Sequence, residues 1–355
     1  MTDPTATATA VGPAVAEGQI ETALTVRRSQ STLVRSLGER YSLIVAFAIM
    51  LGVFALIEPA KFYTHSNLDI ILGSQSVLMI AVLGQVISLA SGEFDISLAY
   101  VLGFANQFSA VLGGEYHWSA ALVVVVTLLL GAGFGLINAI LSVVFGIPSI
   151  VVTLGSGTLL AGLGQLVSTN NVVAGVGGVL VSATTTQFLD LPLLFFYALA
   201  ASIVVWVILQ HTRSGRHLHF VGQGPDVARL AGLRVPLIRM AAMVAGSTIA
   251  ALAGLLLTGQ LGSATPDTGT TYLLPIFAAT FLGSTAIRVG QFNVWGAFIA
   301  VYFLSTGYTG LQEAGAQSWV QSVFYGGALV AAVFLGRVLG GASLRKIILQ
   351  GKVGP

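Results

Sequence analysis

The sequence predicts an all-α, polytopic membrane protein of about ten transmembrane helices with both termini in the cytoplasm. Of its 355 residues 55% are apolar and only 8% are charged, whereas soluble proteins average roughly 25% charged residues. Ten apolar stretches follow one another, each close to the ~20 residues that a helix needs to cross a bilayer. They begin near Ser42, Leu68, Ile96, Ser119, Ile150, Pro192, Ile238, Tyr272, Gln291 and Trp319.

The distribution of basic residues predicts the orientation. If the N-terminus is cytoplasmic and the stretches cross alternately, Lys61 is the only Lys or Arg outside. Lys and Arg near a span resist translocation, so this asymmetry indicates cytoplasmic ends. The residues placed inside are Arg27, Arg28, Arg35, Arg40, Arg213, Arg216, Arg229, Arg234, Arg239, Arg288, Arg337, Arg345, Lys346 and Lys352.

Three regions are expected along the chain. Residues 1–40 begin with a Thr-, Ala- and Gly-rich stretch without apolar periodicity, which predicts a disordered cytoplasmic tail. Residues 41–340 form the transmembrane domain, with a basic cytoplasmic loop at 211–237, and residues 341–355 form a second tail. Thr169–Leu191 is the longest predicted outer segment and is expected to cover the outer mouth. The 43 glycines, among them Gly131, Gly155 and Gly246, indicate close helix packing.

Two carboxylates interrupt the apolar pattern in the segment Ser91–Ser97, which includes Gly92, Glu93 and Asp95. An ionised carboxylate in lipid costs at least a few kcal/mol, so the segment predicts a break between helices that protein or water protects. The alternative is an ordinary inner turn whose solvated acids cap the next helix. Gly290–Val294 is a weak echo of Gly92–Ile96 in sequence.

The inner loop predicts a short helix, Pro225–Ala231. Proline suits its first position, Asp226 favours its positive end, and Gly232 suits its C-terminal cap. Val227, Leu230 and Ala231 could form an apolar face, which makes the helix a candidate docking element. The alternative is a basic loop that only fixes orientation.

Four ordered motifs resemble ribose/xylose-type sugar permeases, the membrane subunits of ATP-binding-cassette importers in the branched-chain amino acid/sugar permease family. Ser91–Ser97 is similar to their T-G-G-I-D-L-S, and Pro148–Gly155 to P-x-F-I-V-T-L-G. Thr212–Leu233 resembles T-R-x-G-R-x-x-x-A-x-G followed by A-A-R-x-x-G-I. Leu261–Gly269 matches L-G-S-A-x-P-x-x-G. The chain departs from the family at Glu93, where Gly is usual, at Pro225-Asp226, where Asn-Glu is frequent, and near Ile287–Asn293.

The resemblance implies a permease subunit without ATPase activity, in the bacterial inner (plasma) membrane, that binds no cofactor. The sequence agrees, since it has no phosphate-binding loop, no Cys and no credible catalytic or metal-binding set. The implied partners are an ABC ATPase, an extracytoplasmic binding protein and a second permease copy in a homo- or heterodimer. The resemblance assigns ATPase coupling to the short helix, that is, to Pro225, Asp226, Val227, Arg229, Leu230, Ala231 and Gly232.

The implied substrate is a sugar or polyol that crosses by alternating access at the dimer centre. Neutral sugars need hydrogen-bonding groups and aromatic faces, so a translocation path past the helix break is expected to use Phe104, Asn106, Gln107 and Phe108. These residues could equally join helices. Alternatives are a permease for branched-chain amino acids or nucleosides, or an ion-coupled secondary transporter. The expected lack of Lys or Arg within the spans counts against the last.

Overall fold

The computed structural model describes residues 41–56, 64 and 69–339. The tails predicted at 1–40 and 341–355 lie outside the described residues, and so do Lys61 and seven of the fourteen basic residues assigned to the cytoplasmic side. The described helices are α1 Tyr41–Leu56, α2 Gln75–Ala90, α3 Ser97–Ala110, α4 Ala120–Ala139, α5 Ser149–Val167, α6 Val179–Thr185, α7 Leu193–His211, α8 Arg213–Gln223, α9 Pro225–Leu230, α10 Val235–Leu261, α11 Thr268–Gly283, α12 Val294–Glu313 and α13 Trp319–Leu339.

A helix occupies each of the ten apolar stretches, and the all-α, multi-pass prediction is confirmed. Within the described ranges, seven helical segments are long and apolar enough to cross a bilayer. Three of the ten, α1, α3 and α11, are shorter. Short π-helical turns at Ile70–Ser74, Val111–Glu115 and Ile140–Val144 extend α2 at its start and α3 and α4 at their ends.

Helix α2 lies at the centre of the bundle. In its apolar 18-residue window 78% of the residues are buried, compared with 22% in α4 and α5 and 11% in α13. Glycine permits a close crossing of α2 and α10, because a Cβ on Gly84 would lie 2.6 Å from the carbonyl oxygen of Gly246 on α10. Gly131 on α4 is likewise packed against Ala251. Membrane helices associate through such small residues when lipid is as apolar as their side chains.

Not every one of these glycines packs against another helix of the same chain. A Cβ on Gly133, Gly155 or Gly162 would meet no other atom within 4 Å. These glycines lie on α4 and α5, whose outer faces are largely exposed in the single chain. Close helix contacts within one chain therefore account for some of the glycines in the helices but not for all of them.

The segment between α5 and α7 folds over one end of α10. Strand β1 (Val173–Ala174) pairs antiparallel with β4 (Ser263–Ala264), which follows α10, and β2 (Gln187–Phe188) pairs with β3 (Leu191–Pro192). Between them α6 packs so closely on α10 that a Cβ on Gly259 would crowd Thr184. The segment predicted at Thr169–Leu191 thus forms an ordered cover on this end of the bundle.

Candidate functional site

The helix break predicted at Ser91–Ser97 lies between the end of α2 and the start of α3. Gly92 has a φ of +87°, a left-handed conformation that glycine adopts without strain. Glu93 and Asp95 are both completely buried. The alternative of a solvated turn is therefore wrong, and both carboxylates depend on protein groups for stabilisation.

Glu93 is paired with Arg239 in the second turn of α10. The guanidinium Nε contacts Oε1, while the side chain of Glu93 is 1% exposed and that of Arg239 is 33% exposed. Oε2 of Glu93 has no hydrogen-bond partner among the described residues. The expectation that the spans contain no Lys or Arg is wrong, because α10 includes Arg239 near its start and α13 includes Arg337 near its end. The ion pair attaches the break to α10.

Asp95 joins the break to the start of α3 and to α4. Its Oδ1 accepts hydrogen bonds from the backbone N–H of Ser97 at 2.9 Å and from the Ser97 hydroxyl at 2.6 Å. Asn138 of α4 donates to the same hydroxyl oxygen at 2.9 Å. Burial raises the pKa of Asp95 to about 6, and the hydrogen bonds from Ser97 oppose that rise.

Helix α5 completes the enclosure of the break. The Ile96 N–H donates to the Thr153 hydroxyl at 3.0 Å, and Thr153 belongs to the Pro148–Gly155 motif. The break is consequently fixed from three sides, by α4, α5 and α10. Sequence reasoning did not identify Arg239, Asn138 or Thr153 as its partners, since nothing local in sequence marks them.

The segment Gly290–Val294 repeats the local structure of the break. Gly290 is also left-handed, with a φ of +80°. Asn293 caps α12 by accepting the Gly296 N–H at 2.7 Å, much as Asp95 accepts that of Ser97. Phe94 and Phe292 both lie near Phe281, with ring centroids 6.2 and 5.5 Å away. The weak likeness in sequence thus corresponds to a likeness in structure.

Helices α8 and α9 form the predicted coupling segment. Pro225 occupies the first turn of α9, Asp226 lies in the same turn, and Gly232 is left-handed with a φ of +81°. The helix ends at Leu230, one residue before the predicted end at Ala231. Asp226 and Arg229 form an exposed ion pair at 3.7 Å.

Apolar side chains of α9 are exposed beside this ion pair. Leu230 is 90% and Val227 is 59% exposed, and Ala231 is exposed as well. Ala228 is fully buried and packs with Val221 and Val235. Sequence reasoning missed this inward anchor, which holds α9 against α8 and α10 while its apolar side chains remain available for contact.

The coupling segment touches the break directly. A Cβ on Gly222, in the last turn of α8, would collide with the carbonyl oxygen of Ala90, and one on Gly92 would lie 3.5 Å from the Cα of Gly222. His219 on the same helix is partly buried, and its pKa is lowered first by that burial and then by Arg288. The structure therefore places α8, which leads directly into the predicted coupling helix α9, against the predicted break.

The path residues predicted on α3 form a separate group. Ser97 and Gln107 are ten residues apart, which is about 15 Å along the helix. Asn106 is fully buried and donates to the Thr258 hydroxyl of α10 at 2.9 Å. Phe108 stacks on Phe104 with a centroid distance of 5.8 Å. Asn106 therefore joins helices, as the alternative reading allowed.

Phe104 and Gln107 also line a small cleft between α3, α5 and the start of α11. Its volume is about 10 Å³, which is room for about one water, so the cleft would have to widen before a sugar could enter. Gln107 donates to the Pro266 carbonyl at 3.3 Å and accepts from the Ser168 hydroxyl at 3.3 Å. The lining of the cleft combines an aromatic ring and a hydroxyl group with the amide of Gln107. This combination suits a neutral polar solute. Its lining residues are Tyr100, Gly103, Phe104, Gln107, Ala161, Pro266, Gly269 and Thr270.

Most of the chain is similar to permease proteins of known transport systems. The D-allose transport system permease protein AlsC of Escherichia coli (strain K12) is 25% identical over 303 residues, covering 85% of this chain and 92% of that protein. The autoinducer 2 import system permease protein LsrD of Salmonella paratyphi B is 30% identical over 311 residues, covering 84% and 92%. LsrD of Photorhabdus laumondii is 29% identical over 309 residues, covering 84% and 92%.

No solved structure matches the chain significantly. The family model described as branched-chain amino acid transport system / permease component matches residues 67–333, which include the break, the coupling segment and the α3 cleft. The chain therefore belongs to this family of transport-system permease components.

Proposed function

We propose that the chain is the membrane-spanning subunit of an ATP-binding-cassette importer for a sugar or polyol that a binding protein delivers. The contact of Gly222 with Ala90 and Gly92 carries this proposal. Gly222 lies on α8, which leads into α9 and its exposed apolar side chains, and the break that it touches holds two buried carboxylates. Movement imposed on α9 by a separate ATPase would thus reach α2, α3 and α10.

The substrate class follows from the relatives and from the cleft. The relatives named above are permeases for D-allose and for autoinducer 2. Once widened, the cleft would offer Tyr100, Gln107 and Thr270 without a charged side chain, which suits a neutral polyhydroxylated solute better than a zwitterionic amino acid. The alternative of a branched-chain amino acid substrate is not favoured. The chain itself binds no cofactor, since ATP binds to the partner.

The path is proposed to lie between two permease copies. Gly155 and Gly162 lie seven residues apart on the exposed face of α5, with no other atom near a Cβ on either. Small residues separated by about two helical turns permit close approach of a second helix. Helix α5 also borders the cleft through Ala161. A dimer formed along this side would bring two clefts towards each other.

The proposed topology has ten spans with both termini on the cytoplasmic face of a bacterial inner membrane. It places α8, α9 and Arg288 inside, and the cover formed by 169–191 outside. The shorter helices α1, α3 and α11 then also cross, helped by the π-helical turn after α3. The asymmetry of basic residues supports this orientation.

Cysteine labelling tests the topology, since the native chain contains no Cys. Thr185→Cys should react with an impermeant maleimide in intact cells, whereas Gln223→Cys should react only after lysis. Both native side chains are exposed, and Thr185 is preferred to the neighbouring Thr184, which is buried. The reverse labelling pattern would contradict the orientation.

Reconstitution tests the function. Proteoliposomes that contain the permease, its cassette ATPase and its binding protein should accumulate a sugar or polyol only with ATP. Leucine and nucleosides serve as competitor solutes and should not reduce uptake. Uptake by the permease alone under an ion gradient would identify a secondary transporter instead, and ATP-dependent uptake of leucine would identify an amino acid permease.

A further inference from the structure

A large cavity among the described residues is separate from the break and from the α3 cleft. It measures about 550 Å³ and runs between α2, α7 and α10, and the start of α8 closes one end of it. Its walls are almost wholly apolar, with Leu83, Val205 and Ile249 as examples. Such a surface offers a sugar no hydrogen bonds, so the cavity does not suit the proposed substrate.

The shape of the cavity matches a long apolar chain that enters from the side. Its lining on α10 extends from Leu237 to Leu252, fifteen residues or about 22 Å, compared with a hydrocarbon core of about 30 Å. Val204, Ile208 and Leu237 border it and are 56%, 45% and 60% exposed. The groove is therefore open along the surface that would face lipid.

The end of the groove at α8 is polar and basic. Ser214 and His217 line it, and Arg213 lies four residues before His217, on the same face of α8. Arg213 and Arg216 are exposed and make no ion pair within the described part of the chain. The acids on this side are already engaged, since Glu93 pairs with Arg239 and Asp226 with Arg229.

We propose that this groove is a binding site for an anionic phospholipid, with an acyl chain between α2, α7 and α10 and the phosphate beside Arg213 and His217. Basic residues close to a membrane attract anionic headgroups, with about 1 kcal/mol for each. One end of the site is formed by α8, so an occupied groove supports the first helix of the coupling segment. This placement in the inner leaflet depends on the proposed orientation, whereas the binding itself does not.

Quenching by brominated lipid tests the proposal on the full-length chain. A small bimane label is placed at Val204→Cys, on the exposed rim of the groove, and the same label at Leu136→Cys on α4 is the matched control. Leu136 is also an exposed aliphatic residue, and the two lie at similar distances from the ends of their helical segments. Nanodiscs of phosphatidylcholine would receive increasing fractions of brominated phosphatidylglycerol or brominated phosphatidylcholine.

We expect brominated phosphatidylglycerol to quench the label at Val204→Cys at a mole fraction about fivefold lower than brominated phosphatidylcholine does. The label at Leu136→Cys should not distinguish the two lipids. Arg213→Gln with Arg216→Gln should remove the preference at Val204→Cys.

Equal quenching by both lipids at Val204→Cys would overturn the proposal, and so would a preference that survives the two glutamine substitutions. Absence of quenching by either lipid there would show that a protein segment fills the groove and would also overturn it. Nanodiscs present the same lipids on both faces and the assay requires no transport. A negative result for the lipid site is therefore distinguishable from a failure of the proposed importer function.

Discussion

Leu230→Asp should abolish both ATPase binding and transport while leaving the permease folded. Leu230 is 90% exposed in the single chain, so an aspartate there remains solvated until the partner binds. In a complex the substitution would bury an unpaired charge at a cost of several kcal/mol. A loss of 3 kcal/mol lowers affinity about 100-fold. Co-purification with the ATPase and ATP-driven uptake measure the two effects.

Val172→Asp is the matched control for this substitution. Val172 is 61% exposed and lies in the cover between α5 and α7, at the opposite end of the proposed topology. The substitution Val172→Asp introduces the same charge at an exposed aliphatic position and should leave ATPase binding intact. If Leu230→Asp still co-purifies with the ATPase and transports, α9 is not the coupling element.

Arg239→Gln should strongly destabilise the protein, because it leaves the carboxylate of Glu93 buried without a counter-charge. Breaking a buried pair by removal of one partner costs about 3–5 kcal/mol. We expect the lower end of this range, since Arg239 is one-third exposed. Thermal unfolding in detergent and the yield of folded protein measure the loss.

The double substitution Glu93→Gln with Arg239→Gln should recover most of the lost stability, because it removes both charges together. Arg234→Gln serves as the control, since Arg234 is exposed beside α10 and makes no ion pair within the described residues. If Arg239→Gln is as stable as Arg234→Gln, the pair contributes little. If the double variant is no more stable than Arg239→Gln, the loss does not arise from an unpaired charge.

Features that depend on local sequence could be predicted from the chain alone. The positions of the ten helices followed from apolar runs, and the ends of α9 followed from Pro225 and Gly232. The break followed from the cost of placing Glu93 and Asp95 in lipid. In each case the signal lies within a few residues of the structure that it predicts.

Features that depend on distant residues could not be predicted. Nothing near Glu93 in sequence indicates that Arg239, 146 positions later, neutralises it. Asn106 was assigned to the path because amides suit sugars, yet its partner is Thr258 on α10. A polar residue in a membrane helix looks the same in sequence whether it binds solute or another helix, and only its neighbours separate the two roles.

The enclosure of α2 has a consequence for biogenesis. Helix α2 is synthesised early, whereas two of the helices that surround it, α10 and α12, emerge more than 100 residues later. Until then its fully buried Gln85 and Ser88 must face lipid or the insertion machinery. Its overall apolarity is sufficient for entry into the bilayer, but its native surroundings arise only when the second half of the chain is inserted. Nascent chains that stop before residue 235 should therefore insert α2 and yet leave it accessible to lipid-phase crosslinkers.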